Sequence, residues 1–266
     1  MNFHSVSRLL VGGLLALLAH GASAQIFDDG IPASWQCVGA CGTSEADGDV
    51  QLAPNGGNRY GWISTNGGAA GVLLPGVNSP ADSGGGSLLH SHLFTATAGQ
   101  ALTFQFNYVT TDAGDFSDYA WVRLMRADGN QAALLATART SPGGGAVPGF
   151  GMPPPAAWLT PSSATVSGPP PFWSPLGGDS GTCYVEPCGV TDWIGAAYTI
   201  AASGNYYLEF GVMNWYDASS DSGLAFDAIA LDGGALPPVP EPATWSLLAG
   251  GFGAFGVAAL LRRRRR

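Results

Sequence analysis

The sequence predicts an all-β fold for the body of the chain, an antiparallel β-sandwich, with one hydrophobic segment at each end that does not belong to it. Three observations carry this. Forty glycines and nineteen prolines, with only 11% charged residues, favour turns and strands over long helices. Several runs alternate apolar and polar residues with period two, the spacing of a strand with one buried side. Glycine, asparagine and aspartate punctuate those runs, and no stretch of the body repeats apolar residues at helical spacing.

Residues 1–24 read as a secretory signal. Arg8 supplies the positive charge, Leu9 to Ala19 the apolar stretch, and Ala22-Ser23-Ala24 the small-residue cleavage pattern, so that Gln25 becomes the first mature residue. The body is one β-sandwich domain over residues 25–234. It opens on Phe27-Asp28-Asp29-Gly30-Ile31-Pro32 and Trp35, expected as a first strand and a turn, and Tyr60 to Ile63 and Gly71 to Leu74 follow as short strands. Ser87 to Ala96 is expected as one strand, with His90 and His92 on one face. Ala101 to Thr110 places Leu102, Phe104, Phe106 and Tyr108 opposite Thr103, Gln105 and Asn107. Tyr119 to Ala127 alternates in the same way, and Asp128-Gly129 turns it into Ala132 to Ala138.

Residues 140–193 hold eleven of the nineteen prolines. Proline at that density builds no central strand, so this is a long surface excursion. Within it, Trp158, Phe172 and Trp173 are either staples onto the sandwich or an exposed platform. Ala196 to Ala201 and Tyr206 to Asn214 then read as a hairpin, and Leu224 to Leu231 closes the body.

Lysine is absent. Removing Arg8 with the signal and Arg262 to Arg266 with the tail leaves four arginines against nineteen acids, a net charge of −15 on the body. That excludes nucleic acid and anionic membrane surfaces as partners of the body, since both need basic patches. The four cysteines form two close sets, and an even count in an exported chain points to disulfides. Local bonds Cys37–Cys41 and Cys183–Cys188 would pin the flanking turns. Cross-pairing and a four-cysteine zinc site are the alternatives.

Residues 235–242 form a linker ending in Val239, Pro240, Glu241 and Pro242. An uncharged apolar run over 243–261 and five arginines over 262–266 follow. At helical rise the run extends roughly 28 Å, enough for one transmembrane helix. The arginines stay cytoplasmic and the body lies outside. These residues closely resemble the PEP-CTERM sorting signal of Gram-negative bacteria: a Pro-Glu-Pro motif, one membrane helix and a basic tail, in order. The resemblance implies recognition by an exosortase, a membrane-embedded cysteine transpeptidase. It also implies transient inner-membrane anchoring with the body in the periplasm, then an outer-surface or extracellular-matrix destination linked to exopolysaccharide and biofilm.

Asp28-Asp29-Gly30 at the start and Asp221 to Leu231 at the end resemble the terminal strands of jelly-roll domains of the carbohydrate-binding-module, galactose-binding-like type. The resemblance implies a structural calcium near the first and last strands, with Asp28, Asp29 and Asp227 as ligands. Asp227 is expected on one face with Ala225, Ile229 and Leu231, pointing into an apolar layer. A second acidic loop, Asp112, Asp115 and Asp118, joined by Asp217 and Asp221, is the other calcium candidate; its spacing is not that of an EF-hand. Trp215 and Tyr216 are the candidate sugar-stacking aromatics. No catalytic motif is present: no Gly-x-Ser-x-Gly elbow, phosphate loop or His-Glu-x-x-His. The expectation is a non-enzymatic surface protein that binds exopolysaccharide. The alternatives are a purely structural matrix or adhesion protein and a glycan-active enzyme.

Overall fold

The computed structural model describes residues 25–77, 85–112, 114–237 and 239, apart from the side chain of Asp115. The signal at 1–24, Pro240, Glu241 and Pro242, the span 243–261 and the basic tail 262–266 lie outside the described residues.

The described chain is all-β, with two antiparallel sheets packed as a jelly-roll-like sandwich. One sheet has the order β1 (Gln36–Val38), β4 (Gly86–His90), β14 (Gly204–Met213), β7 (Tyr119–Arg126), β8 (Gln131–Arg139), with β5 (Phe94–Ala96) also paired to β14. The other has the order β10 (Trp158–Thr160), β13 (Ile194–Thr199), β6 (Ala101–Thr110), β15 (Ser222–Leu231), β3 (Tyr60–Ser64), β2 (Ala40–Ser44), with β12 (Gly189–Val190) on the end of β6. A small ribbon pairs β9 (Gly145–Val147) with β11 (Ala164–Thr165).

Alternation decides which side of each strand meets the core. Leu102, Phe104 and Phe106 of β6 face Leu208, Phe210 and Val212 of β14, joined by Leu224 and Phe226 of β15. Phe210 and Phe226 stack across the sandwich with ring centroids 4.0 Å apart, and Phe104 meets Phe210 edge-on at 6.2 Å. Truncating one of these buried rings to alanine costs about 3–5 kcal/mol. Each cysteine set closes on itself, Cys37–Cys41 and Cys183–Cys188.

Several expected elements differ. Residues 26–34 form turns instead of a strand, while Phe27 and Trp35 stay buried and contact each other edge-on at 5.4 Å. Gly71 to Leu74 is not a strand; Val72 and Leu74 lie over the outer face of the first sheet against Tyr119 and Trp121. Ser87 to Ala96 breaks into β4 and β5. His90 pairs with Glu209 and Phe94 with Tyr206, so three residues oppose two and Ser91 inserts its hydroxyl to accept from Leu208 N at 2.9 Å. The break separates the histidines. His90 meets Glu209, whereas His92 contacts Trp35 and the Leu236 carbonyl. β13 and β14 are not a hairpin, because β13 pairs with β6 and the chain then crosses to the opposite sheet. A turn signal shows that a chain reverses, but not which strand it joins.

The excursion adds only short strands, β10 and β12 at the edge and end of the second sheet and β9 with β11 as a separate ribbon, as its proline content dictates. Trp173 is fully buried with Leu176 against Tyr60, Val109 and Ala225, and its Nε1 donates to Tyr60 Oη at 2.9 Å. It staples the excursion down. Trp158 and Phe172 stay outside.

Candidate functional site

Three places gather chemistry. The first is where the beginning and end of the body meet. Between Asp227 and Ala230, β15 carries one residue more than β6, and Ala228 takes φ 52°. This bulge resets the alternation. Leu224 and Phe226 before it and Ile229 and Leu231 after it all enter the core, and Asp227 does not share their layer. It points instead at the 55–58 loop, fully buried, with Oδ2 accepting from Gly57 N at 3.0 Å and Oδ1 without a donor. Burial pushes the Asp227 carboxyl up to about 6, against the nearby N–H groups of Ala228 and Gly57 and with help from Asp28. Asp28 accepts from Asn58 N (2.7 Å), Asn58 Nδ2 (2.9 Å) and Arg59 N (3.2 Å). Gly56 and Gly57 run between the two carboxylates. A Cβ on Gly56 would come within 2.2 Å of Asp227 Oδ2, and one on Gly57 within 2.2 Å of Asp28 Oδ1. The structure thus brings Asp28 and Asp227 to one loop and leaves Asp29 exposed. Among the described residues, no three His, Cys, Asp or Glu side chains are grouped to hold a metal.

The second is the acidic loop. Asp118 is buried, with Oδ1 accepting from Trp215 N at 2.9 Å and Oδ2 without a partner. Burial, then the neighbouring Asp112, raises its carboxyl well above the ordinary range. Asp221 is pushed up to about 6, first by burial and then by Asp179, against a hydrogen bond from Thr65. Trp215 does not face solvent as a platform. It packs edge-on against Tyr119 at 5.8 Å and lies 3.7 Å under the Arg139 guanidinium, a cation–π contact. Tyr216 beside it is exposed.

The third is a groove of about 610 Å³ on the outer face of the second sheet. Thr103 and Gln105 of β6, Gly195 and Ala197 of β13, and Ala228 and Ala230 of β15 floor it. These small side chains leave a trough, and Trp158 on β10 stands along it, 76% exposed. Gln105 Oε1 is buried there without a hydrogen-bond partner. Asn55 and Gly56 line the same groove, so its end abuts the Asp28–Asp227 loop. Sequence pattern put Thr103 and Gln105 on the polar face of β6. It could not bring Trp158, some fifty residues away, to the same sheet.

Residues 238–266 match the PEP-CTERM protein-sorting motif. The chain therefore carries a PEP-CTERM sorting signal. The described residues end on it: Thr95 N donates to the Pro237 carbonyl and Val239 N to the Leu93 carbonyl, each at 3.2 Å, so the chain before the motif lies along β5 and not free of the body. No curated protein matches the sequence. Among solved structures, the K1 and K3 cleaved adhesin domains of Lys-gingipain from Porphyromonas gingivalis are similar at 14% and 15% identity, with TM-scores of 0.33 and 0.34. In both, 77% of this chain is covered, and 94% and 95% of those chains. The enzymatically active domain of tailspike protein 4 from bacteriophage CBA120 is similar at 10% identity and TM-score 0.34, over 79% of this chain and 20% of that one. This chain thus spans about a fifth of the tailspike chain. Likenesses at this level carry no argument about function.

Proposed function

We propose that the PEP-CTERM signal delivers this protein, through an exosortase, from a transient inner-membrane anchor to the cell surface or matrix. There its body binds extracellular polysaccharide without catalysis, in the groove beside Trp158. The observation that carries the glycan reading is Trp158 itself. A tryptophan left three-quarters exposed forgoes roughly 1.5–3 kcal/mol of burial, which an apolar partner would recover. The C–H face of a sugar ring is such a partner, and its hydroxyls would meet Thr103, Gln105, Thr160 and Asn55 along the trough. The non-catalytic part is supported by the engagement of both body histidines in structural contacts and of all four cysteines in disulfides.

Pull-down of the exported body on the producing cell's own exopolysaccharide tests this. Retention that Trp158→Ala abolishes, with melting unchanged, is expected. Retention that survives the substitution would move the site elsewhere, and none in the native protein would favour the purely structural matrix reading. A calcium at Asp28 and Asp227 is a second reading, favoured by the orphaned Asp227 Oδ1. Two carboxylates fit calcium only with further oxygens from backbone or solvent. Such an ion would fix the loop that ends the groove.

A further inference from the structure

The groove beside Trp158 is built on two cross-strand rows. In the first, Trp158 of β10 lies opposite Ala197 of β13, Ala197 opposite Thr103 of β6, and Thr103 opposite Ala230 of β15. In the second, Thr160 lies opposite Gly195 and Gly195 opposite Gln105. At the usual spacing between strands, four strands span roughly 14 Å. The trough is therefore longer than one sugar ring. It offers the Trp158 ring, methyl groups, hydroxyls, amides and backbone, and none of the described residues that line it is charged.

Among the described residues the permanent cations are four arginines, and each is held elsewhere. Arg59 donates to the Thr43 carbonyl at 3.1 Å and pairs with Glu45 at 3.5 Å. Arg123 is buried on Glu209. Arg139 is buried against Trp215, with its Nε donating to the Ser117 carbonyl at 3.0 Å. Arg126 is exposed at the end of β7, in the opposite sheet, where its Nη1 donates to the Gln131 carbonyl at 3.1 Å. The charges that border the groove are negative. Gly56 lines its end, and the Asp227 and Asp28 carboxylates lie against the Gly56-Gly57 turn. Above about pH 6 the Asp227 carboxyl is ionised. The body as a whole carries −15.

An acidic glycan would meet this like-charged surface from a distance and find no counter-ion in the trough. A carboxylate seated there would give up water and gain no partner. A neutral ring meets neither obstacle. Its C–H face lies on Trp158, and its hydroxyls exchange water for the threonine hydroxyls and the side-chain amides. We propose that the groove takes uncharged polysaccharide, a run of neutral sugar rings, and turns away chains that carry uronate or other acidic groups. This rests on the glycan-binding reading above and names the class of glycan that the same groove accepts.

The test uses the full chain in a polyoxyethylene detergent at pH 7.5. The producing cell's own exopolysaccharide is separated by anion exchange into a neutral and an acidic fraction, and part of the acidic fraction has its carboxyls reduced to primary alcohols. Only retention that Trp158→Ala removes is counted, which sets aside ionic contacts of the arginine tail. Retention by the neutral fraction or the carboxyl-reduced material is expected, with the unreduced acidic fraction at least ~10-fold weaker. Raising salt from about 0.02 M to about 0.5 M should leave that retention within ~2-fold, because no ion pair is there to be screened. Thr160→Arg, on the face of β10 that carries Trp158, puts a cation into the trough and should raise retention by the acidic fraction at least ~3-fold. Trp158-dependent retention by the unreduced acidic fraction, equal to that by the neutral material, would overturn the proposal and leave the glycan reading standing. Retention by the acidic fraction only with calcium would do the same, and so would a steep loss with salt or no gain from Thr160→Arg. Retention by none of the three materials would overturn the glycan reading itself, and the proposal with it.

Discussion

Asp227→Asn should stabilise the protein at neutral pH although it alters a fully buried residue. The Asp227 carboxyl sits at about 6 in the folded chain, against about 3.9 in an unfolded one. Ionising it above pH 6 therefore costs the fold roughly 3 kcal/mol, two pKa units at about 1.4 kcal/mol each. Asparagine keeps the shape and an oxygen for the Gly57 N–H, and removes the charge facing Asp28. Some acceptor strength is lost, so a net gain of about 1–2 kcal/mol is expected at pH 7.5. The sign follows from linkage. A carboxyl whose folded value is raised favours the native state when protonated, so native stability rises as pH falls through about 6 and levels off below about 4. The gain from Asp227→Asn should accordingly shrink toward zero by about pH 4. Urea unfolding of residues 25–239 at both pH values, with chelator present, measures this. A loss above ~1 kcal/mol at pH 7.5 would refute the reasoning, because it would mean the ionised carboxylate is satisfied by something other than the contacts described. Adding calcium extends the test: if calcium bridges Asp28 and Asp227, it should raise wild-type stability at pH 7.5 and leave Asp227→Asn unmoved.

Two further outcomes follow from the same contacts. Glu209 is buried in the first sheet, accepting from Trp121 Nε1 at 2.8 Å, Arg123 Nε at 2.7 Å and His90 at 3.1 Å. Burial pushes its carboxyl up, but these donors together hold it below the ordinary value. Its contribution is present above about pH 4.5 and is lost as pH falls through the lowered value, opposite in sign to Asp227. Glu209→Ala strands the buried Arg123 and should cost roughly 3–5 kcal/mol by urea unfolding, with part recovered in the Arg123→Met, Glu209→Met double variant; equal losses in single and double variants would contradict it. For sorting, mass spectrometry of the surface form should find a C-terminus near Pro240-Glu241-Pro242 and no Arg266, and a mature chain still carrying Arg266 in exosortase-containing cells would sink the sorting reading.

Strands with strict alternation were legible: Ala101 to Thr110 matches β6 residue for residue, and Tyr119 to Ala127 runs one residue beyond β7. Their core faces follow from period two alone. The same rule failed at two bulges. Ser91 splits one expected strand and parts His90 from His92, and the extra residue at Asp227–Ala228 turns Asp227 out of the layer assigned to it. A bulge is one residue of local backbone with no compositional mark. Partner choice was not legible either, since the Ile200 to Ser203 connection reads as a hairpin turn and in fact crosses between sheets. The candidate sites assemble from distant segments. The meeting of Trp158 with the β6 face exists only after folding.

The most direct test of the account follows the protein on the cells that make it. Sorting brings it to the surface, and Trp158 is what should hold it in the polysaccharide there. The measurement is the fraction retained with the cell-surface matrix against the fraction released to the medium, for wild type and Trp158→Ala. The account predicts that both are processed and exported alike and that Trp158→Ala is lost to the medium. Equal retention of the two would contradict it.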